Sequence, residues 1–262
     1  MLDKTTLSSV AEELYKALRE HRPVLPLSRR YPTMDINDAY SISLQLIKRR
    51  LADGETMTGK KIGITSKVVQ AMFNVHQPDF GFLTSQMAIA NGADIKIQGH
   101  LIQPRVEGEI AFMLNRDLAG PGITEQLVLD ATEYIVPCFE IVDSRIENWQ
   151  ISIEDTIADN ASCGFYVLGE GKVDPREVDL PNLKMEVFKN GQLLSEGLGS
   201  AVQGNPLTAV AWLANKLSQY GIPFKAGEII LSGSLVPLET VVSGDQMHLE
   251  LEQIGRASIN FI

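Results

Sequence analysis

Only two cysteines, Cys138 and Cys163, occur in 262 residues, both in apolar surroundings. That scarcity argues against a disulfide framework and fits two buried thiols in a reducing cytosol. Positive charge is also short: 23 Lys and Arg face 33 Asp and Glu, for a formal net charge of -10. Nucleic acid and anionic lipid need a basic footprint, so neither is an expected partner. An anionic small molecule stays open, because a local cation overrides the global field. No run of 18 apolar residues exists and the first residues, MLDKTTLSSVAEEL, hold no apolar signal core, so a soluble cytoplasmic protein is expected. Three catalytic signatures are missing as well. There is no G-x-G-x-x-G after a strand, no G-x-x-x-x-G-K-[ST] and no G-x-S-x-G, which removes the usual marks of nucleotide-binding enzymes and serine hydrolases.

What is present reads as a helical arm, residues 1–55, followed by a β-rich catalytic core, residues 56–262. Leu7, Val10, Leu14 and Leu18 recur at helical spacing over 5–21. Three prolines make 22–34 irregular. Asp35 caps a second helix that runs to about Leu51, with Tyr40, Ile47 and Leu51 on its apolar side and Gly54 ending it. Beyond that, short Val/Ile/Phe-rich runs alternate with turn residues. Strands are expected at 60–64, 109–114, 134–142, 164–168, 183–188, 192–197, 228–232, 247–251 and 257–261, and Asn190-Gly191 is a strong hairpin signal. Helices are expected at 66–73, 124–131 and 206–220, the last starting on Pro206 and ending at Gly221.

The chemistry concentrates in Arg105-Val106-Glu107-Gly108-Glu109 and, thirty residues on, Phe139-Glu140-Ile141-Val142-Asp143. On a strand Glu107 and Glu109 share a face, about 7 Å apart. Acids inside apolar strands need a compensating charge. Mg²⁺ or Mn²⁺, which take oxygen ligands, would supply it, with Glu140 coming from a second strand. Solvent-facing acids, or acids paired with Arg105 and Arg145, are the other reading. In Gly59-Lys60-Lys61-Ile62-Gly63-Ile64-Thr65-Ser66 only one of the two lysines can face a pocket, and the Thr65-Ser66 turn precedes a helix. An exposed lysine pair with a capping hydroxyl is equally consistent. Asp79, in the turn His76-Gln77-Pro78-Asp79-Phe80-Gly81, is either a general base or a turn former. His76 has no partner histidine and reads as structural. Ser234, in Leu231-Ser232-Gly233-Ser234-Leu235, either donates to a carboxylate or closes a turn. Trp212 falls at core spacing, and Asp159 and Asn160 are candidates for supporting contacts.

Taken together and in order, GKKIGITS, HQPDFGFL, PRVEGEIAF, VPCFEIVDSR, DTIADNAS and KAGEIILSGSLVP resemble the fumarylacetoacetate hydrolase superfamily, and within it the hydratase and decarboxylase branch of meta-cleavage pathways. The resemblance covers nearly the whole chain. It implies an α+β fold, the mixed β-sandwich roll of that superfamily with an N-terminal helical extension. It implies Mg²⁺ or Mn²⁺ on Glu107, Glu109 and Glu140, with Lys61 and Asp79 as catalytic groups. Thr65, Ser66, Leu83 and Ser234 fall where substrate contacts are expected. The implied reaction is hydration of a small-molecule substrate, 2-hydroxypenta-2,4-dienoate, to 4-hydroxy-2-oxopentanoate. Decarboxylation of 4-oxalocrotonate is the competing activity. Asp79 and the SGSLVPLE segment favour the hydratase. A longer dienoate with a second carboxylate would want an extra basic contact, which the sequence does not place. Hydrolysis of a C–C bond would need a His/Glu pair absent here, and a purely scaffolding role does not suit a complete set of acids. The family further implies a homo-oligomer and a possible complex with the pathway decarboxylase.

Overall fold

The computed structural model describes all residues, 1–262. Helix α1 (Lys4–Glu20) starts on Asp3, whose side chain accepts from the Thr6 N–H, and buries Val10, Leu14 and Ala17. After the one-turn α2 (Leu27–Arg30), α3 (Ile36–Ala52) opens on a capping box between Asp35 and Asp38. Tyr40 and Ile47 face inward as their spacing predicts, whereas Leu51 turns to solvent, 37 % exposed. Val10, Leu14, Tyr40 and Ile47 of this arm belong to the same hydrophobic cluster as the core residues of the sheets.

The rest of the chain alternates strands with short helices. In order these are β1 (Met57–Gly63), α4 (Lys67–Met72), β2 (Asp79–Thr84), β3 (Ala88–Ile89), β4 (Asp94–Ile95), β5 (Pro104–Leu114), α5 (Glu125–Ala131) and β6 (Thr132–Asp143). There follow α6 (Ile153–Ala158), β7 (Cys163–Leu168), β8 (Lys184–Lys189), β9 (Gln192–Leu198), α7 (Pro206–Ser218), β10 (Ile229–Ser234), β11 (Glu239–Thr240), β12 (Gln246–Leu251) and β13 (Gly255–Phe261). Every strand expected from the sequence is present. The segment read as a turn, from Asp79, is instead strand β2. A leading Pro78 and an internal Gly81 masked it, since both weaken the local strand signal.

Eight strands form one curled sheet, in the order β2-β1-β10-β5-β6-β7-β3 with β11 beside β5, and five form a second sheet, β4-β13-β12-β8-β9. This is an α+β architecture of a half-barrel with the helical arm at its N-terminus. Strand alternation divides the large sheet into two faces. From β5, Val106, Ile110 and Phe112 point outward into the main core shared with Met185, Leu249 and Ile259 of the second sheet. Gly108 lies on that outer side, where a β-carbon would run into Met185 and Val187, so the second sheet can close down only on a glycine. The inner face carries a smaller cluster of Leu83, Ala111, Val136, Cys138 and Leu231. Both cysteines are free and buried.

The curl is held at one end by a fully buried ion pair. The Arg145 guanidinium donates from Nε to Asp159 Oδ1 and from Nη1 to the carbonyls of Asp143 and Cys163, at 2.7 and 2.9 Å. Removing one partner of such a pair strands the other charge, so Arg145→Met is expected to cost about 3–5 kcal/mol in denaturant unfolding. A loss below about 1 kcal/mol would show that water reaches Asp159.

Candidate active site

The inner face of β5 presents Arg105, Glu107, Glu109 and Ala111 in succession. Its antiparallel pairing with β6 puts Glu107 directly opposite Glu140, and Glu109 opposite Cys138. Carboxylate oxygens of Glu107, Glu109 and Glu140 consequently lie within 4.8 Å of one another. Glu109 and Glu140 have no solvent exposure. One oxygen of Glu109 accepts the Gly233 N–H at 2.8 Å, while its other oxygen and both oxygens of Glu140 are buried without a hydrogen-bond partner.

Three carboxylates this close in a buried site resist ionisation. Burial, then the charges of Glu140 and Glu107, push Glu109 well above the usual carboxylate range. Burial and Glu140 raise Glu107 to about 7. A hard divalent cation is the natural remedy: it takes oxygen ligands and would satisfy the orphaned oxygens. The donor set thus fits the metal expected from the sequence, and nothing in it suits a soft ion.

Lys60 and Lys61 separate as strand alternation requires, but neither is exposed. Lys60 faces outward, pairing with Glu228 over the Phe224 ring. Lys61 points inward, its Nζ 3.1 Å from Glu140 Oε1, a contact made at ion-pair distance but without hydrogen-bond alignment. Burial alone would lower the Lys61 pKa, yet Glu140 and Asp79 more than offset it and hold the ammonium charged. Asp79, the first residue of β2, sits opposite Gly63 of β1. A side chain at Gly63 would run into Asp79 Oδ1, an oxygen that is itself buried and unpartnered. Burial lifts Asp79 to about 6, against the opposing pull of Lys61.

These groups open onto a cavity of about 580 Å³ whose floor includes Lys61, Asp79 and Glu107. One wall is apolar: Ile64, Val69, Met72 and Phe73, from the segment that leaves β1. Opposite stand Val142, Ile151 and Leu238. Backbone strain concentrates around it. Ile64 is left-handed at φ 57°, and Asn160, Ala161 and Ser162 are left-handed in succession. Asn160 clamps β2 through both amide atoms, accepting the Phe82 N–H at 2.8 Å and donating to the Phe82 carbonyl at 3.0 Å.

Four other residues singled out from the sequence do not line this cavity. Thr65 lines a separate polar cavity of about 530 Å³ with Lys67 and His76. The left-handed Ile64 breaks the strand alternation just before Thr65. The Ser66 hydroxyl is used as the cap of α4, accepting from the Val69 N–H at 3.2 Å. Leu83 packs in the inner floor. The Ser234 hydroxyl donates to the Val236 carbonyl at 2.7 Å and so closes its own turn. Conversely, Trp149 and Ser162 line the site without having been candidates from the sequence, and Arg105, expected there only as an alternative ion-pair partner of the acids, lines it too. The period-two repeat that joins Glu107 to Glu109 also puts Arg105 on that face.

Residues 57–261 match the family described as fumarylacetoacetate (FAA) hydrolase C-terminal. The chain belongs to the fumarylacetoacetate hydrolase family. It is 55 % identical over 262 residues to a 2-hydroxyhexa-2,4-dienoate hydratase of Comamonas testosteroni, covering 100 % of this chain and 99 % of the relative. It is also 55 % identical over 221 residues to a 2-hydroxypent-2,4-dienoate hydratase of Pseudomonas putida, covering 84 % and 100 %. Among solved structures, the 4-oxalocrotonate decarboxylase of Pseudomonas putida G7 complexed with magnesium and adipate superposes with a TM-score of 0.97 at 32 % identity, over 100 % of this chain and 99 % of that one. No helix of this family member is long and apolar enough to cross a membrane.

Proposed function

We propose that this chain is a divalent-metal-dependent hydro-lyase that converts 2-hydroxypenta-2,4-dienoate to 4-hydroxy-2-oxopentanoate in the meta-cleavage degradation of aromatic compounds. The observation that carries this reading is the carboxylate triad, with orphaned oxygens on the buried Glu109 and Glu140, whose third member Glu107 lines one cavity with Lys61 and Asp79. Glu107, Glu109 and Glu140 would hold Mg²⁺ or Mn²⁺. Such an ion, when bound, acts as a Lewis acid on the oxygen at C2 of a 2-oxo acid.

The chain's own groups account for the rest. The reaction needs a proton delivered to C5 as the enol proton leaves, then water added at C4 and a proton at C3. Asp79, at about 6, can both accept and return a proton near neutral pH, and we assign it to the attacking water. Lys61 stays cationic, so it holds the substrate carboxylate or supplies a proton, and it steadies Glu140 throughout. The apolar wall of Val69 and Phe73 receives the hydrocarbon tail. Substrate contacts from Thr65, Ser66, Leu83 and Ser234, which the family resemblance implies, belong to the same proposal, with none of the four lining the main cavity.

Identity of 55 % to dienoate hydratases, against 32 % to the decarboxylase, supports hydration over decarboxylation. Incubation with 2-hydroxypentadienoate and magnesium is expected to bleach the diene absorbance and yield the 4-hydroxy-2-oxo acid. Carbon dioxide released from 4-oxalocrotonate, with no bleaching of the pentadienoate, would assign the chain to the other branch. The same proposal makes the protein a cytoplasmic homo-oligomer that associates with the pathway decarboxylase, and sedimentation of the two proteins alone and mixed tests it.

A further inference from the structure

The polar cavity of about 530 Å³ adjoins the active one across α4. Two chain segments enclose it. Lys67 and His76 come from α4 and the turn after it; Gln203 comes from the stretch before α7, and Trp212 from α7 itself. No Asp or Glu lines it, in a chain whose net charge is -10. Its donors lack acceptors. Lys60 and Lys61 pair with Glu228 and Glu140, whereas Lys67 forms no ion pair. The Trp149 indole donates to the Gln103 carbonyl, whereas the Trp212 N–H meets no acceptor. Gln203 Nε2 is buried with no hydrogen-bond partner at all. Its backbone is left-handed, at φ 49°, so this orphaned donor is held in place at a conformational cost. A buried donor without an acceptor destabilises the fold, and an acceptor placed in the cavity would recover that loss.

We infer that this cavity is an oxyanion site, separate from the glutamate triad, and that it binds a phosphate group between Lys67 and Gln203. A phosphate has acceptor oxygens on every side, so it can engage donors from two facing segments at once. A carboxylate accepts in a single plane. The Trp212 ring offers an apolar face to the organic part of a phosphomonoester. The site bears on the active cavity through α4, which is a wall of both. Val69 and Phe73 line the active cavity, while Lys67 and Gln70 line this one. No residue of α4 is fully buried, so little packing fixes the helix. A phosphate held by Lys67 and Gln203 ties α4 to the segment before α7 and steadies the apolar wall.

The test does not depend on the hydratase reading. Binding of inorganic phosphate and of phenyl phosphate to the magnesium-loaded protein, freed of excess metal, is measured by calorimetry at an ionic strength fixed with chloride. The parent is compared with Lys67→Met, Gln203→Glu and Glu109→Gln. Lys67→Met should weaken phosphate about tenfold to a hundredfold, the range for one charge-assisted contact. Gln203→Glu exchanges a donor for a negative charge at the same volume and should abolish binding. Glu109→Gln, which touches only the triad, should bind within about twofold of the parent. Phosphate should also slow hydrogen exchange of the amides of residues 67–73 in the parent and not in Lys67→Met. Tighter binding of phenyl phosphate makes the ligand a phosphomonoester; equal binding makes it the free ion, and either supports the site. Lys67 is exposed, so Lys67→Met decides the matter even where Gln203→Glu disturbs the fold. No binding of either phosphate by the parent overturns the inference. Binding that survives Lys67→Met unchanged but is lost in Glu109→Gln puts the phosphate on metal at the triad and equally overturns it.

Discussion

Glu109→Gln is expected to abolish metal-dependent turnover, by a factor of about a thousand or more, because several kcal/mol of Lewis-acid stabilisation are lost. The fold should not suffer. Gln has the same shape, and its amide oxygen can still accept the Gly233 N–H that Glu109 accepts at 2.8 Å. What disappears is a buried carboxyl group that resists ionisation unless a counter-ion is present. The metal-free variant should therefore be as stable as the metal-free parent, or more so, while magnesium no longer raises its melting temperature. The parent carries a pH signature of the same crowding. Glu107 is raised to about 7 from an ordinary 4.5, so the folded metal-free protein keeps a proton that the unfolded chain releases between those values. Its stability accordingly falls as pH rises through that window, since the folded state binds more protons than the unfolded one. Magnesium should flatten or reverse the fall, because ligation needs the deprotonated carboxylates and strengthens with pH. Denaturant unfolding on either side of the window, with chelator and with magnesium, reads both effects. Full activity of the parent after thorough chelation would end the metal assignment.

Asp79→Asn should lower kcat by about 10²–10⁴-fold, the usual contribution of a positioned acid or base, with KM within a few-fold of the parent. The reasoning is local. Asp79 is buried, its Oδ1 has no partner, and Gly63 leaves the space that this oxygen occupies. Asn fills the same volume and keeps an acceptor, but it cannot carry a proton. Binding of a non-reactive 2-oxo acid should be preserved, since the triad and Lys61 are untouched. A variant with unchanged kcat would remove Asp79 from the chemistry. One with unchanged kcat and a large rise in KM would make it a binding group.

Much of this site was legible from residue order. Strand alternation put Glu107 and Glu109 on one face and allowed only one of Lys60 and Lys61 to reach a pocket; Lys61 and Lys60 indeed point to opposite sides of β1. The helix signals at Asp35 and Pro206 correspond to the observed α3 and α7 starts. The strand at Asp79 was not legible. Pro78 and Gly81 obscure it locally, and β2 is stabilised by pairing with β1 and by the Asn160 clamp, both supplied from elsewhere in the chain. The substrate contacts of Thr65 and Ser234 are what the family resemblance implies; in the fold Thr65 lines a neighbouring cavity and the Ser234 hydroxyl donates to the Val236 carbonyl.

The order of residues by itself determined which groups are available and which face of its own strand each takes, because a two-residue repeat is a property of extended backbone. It determined that β5 carries acids where apolar residues belong. Only the tertiary structure decided that Glu140 stands opposite Glu107, that Asp79 reaches Lys61, and that Arg105 shares their cavity with Trp149. Those are matters of register and of how far the sheet curls, and both depend on contacts between segments far apart in the chain, which no local pattern encodes.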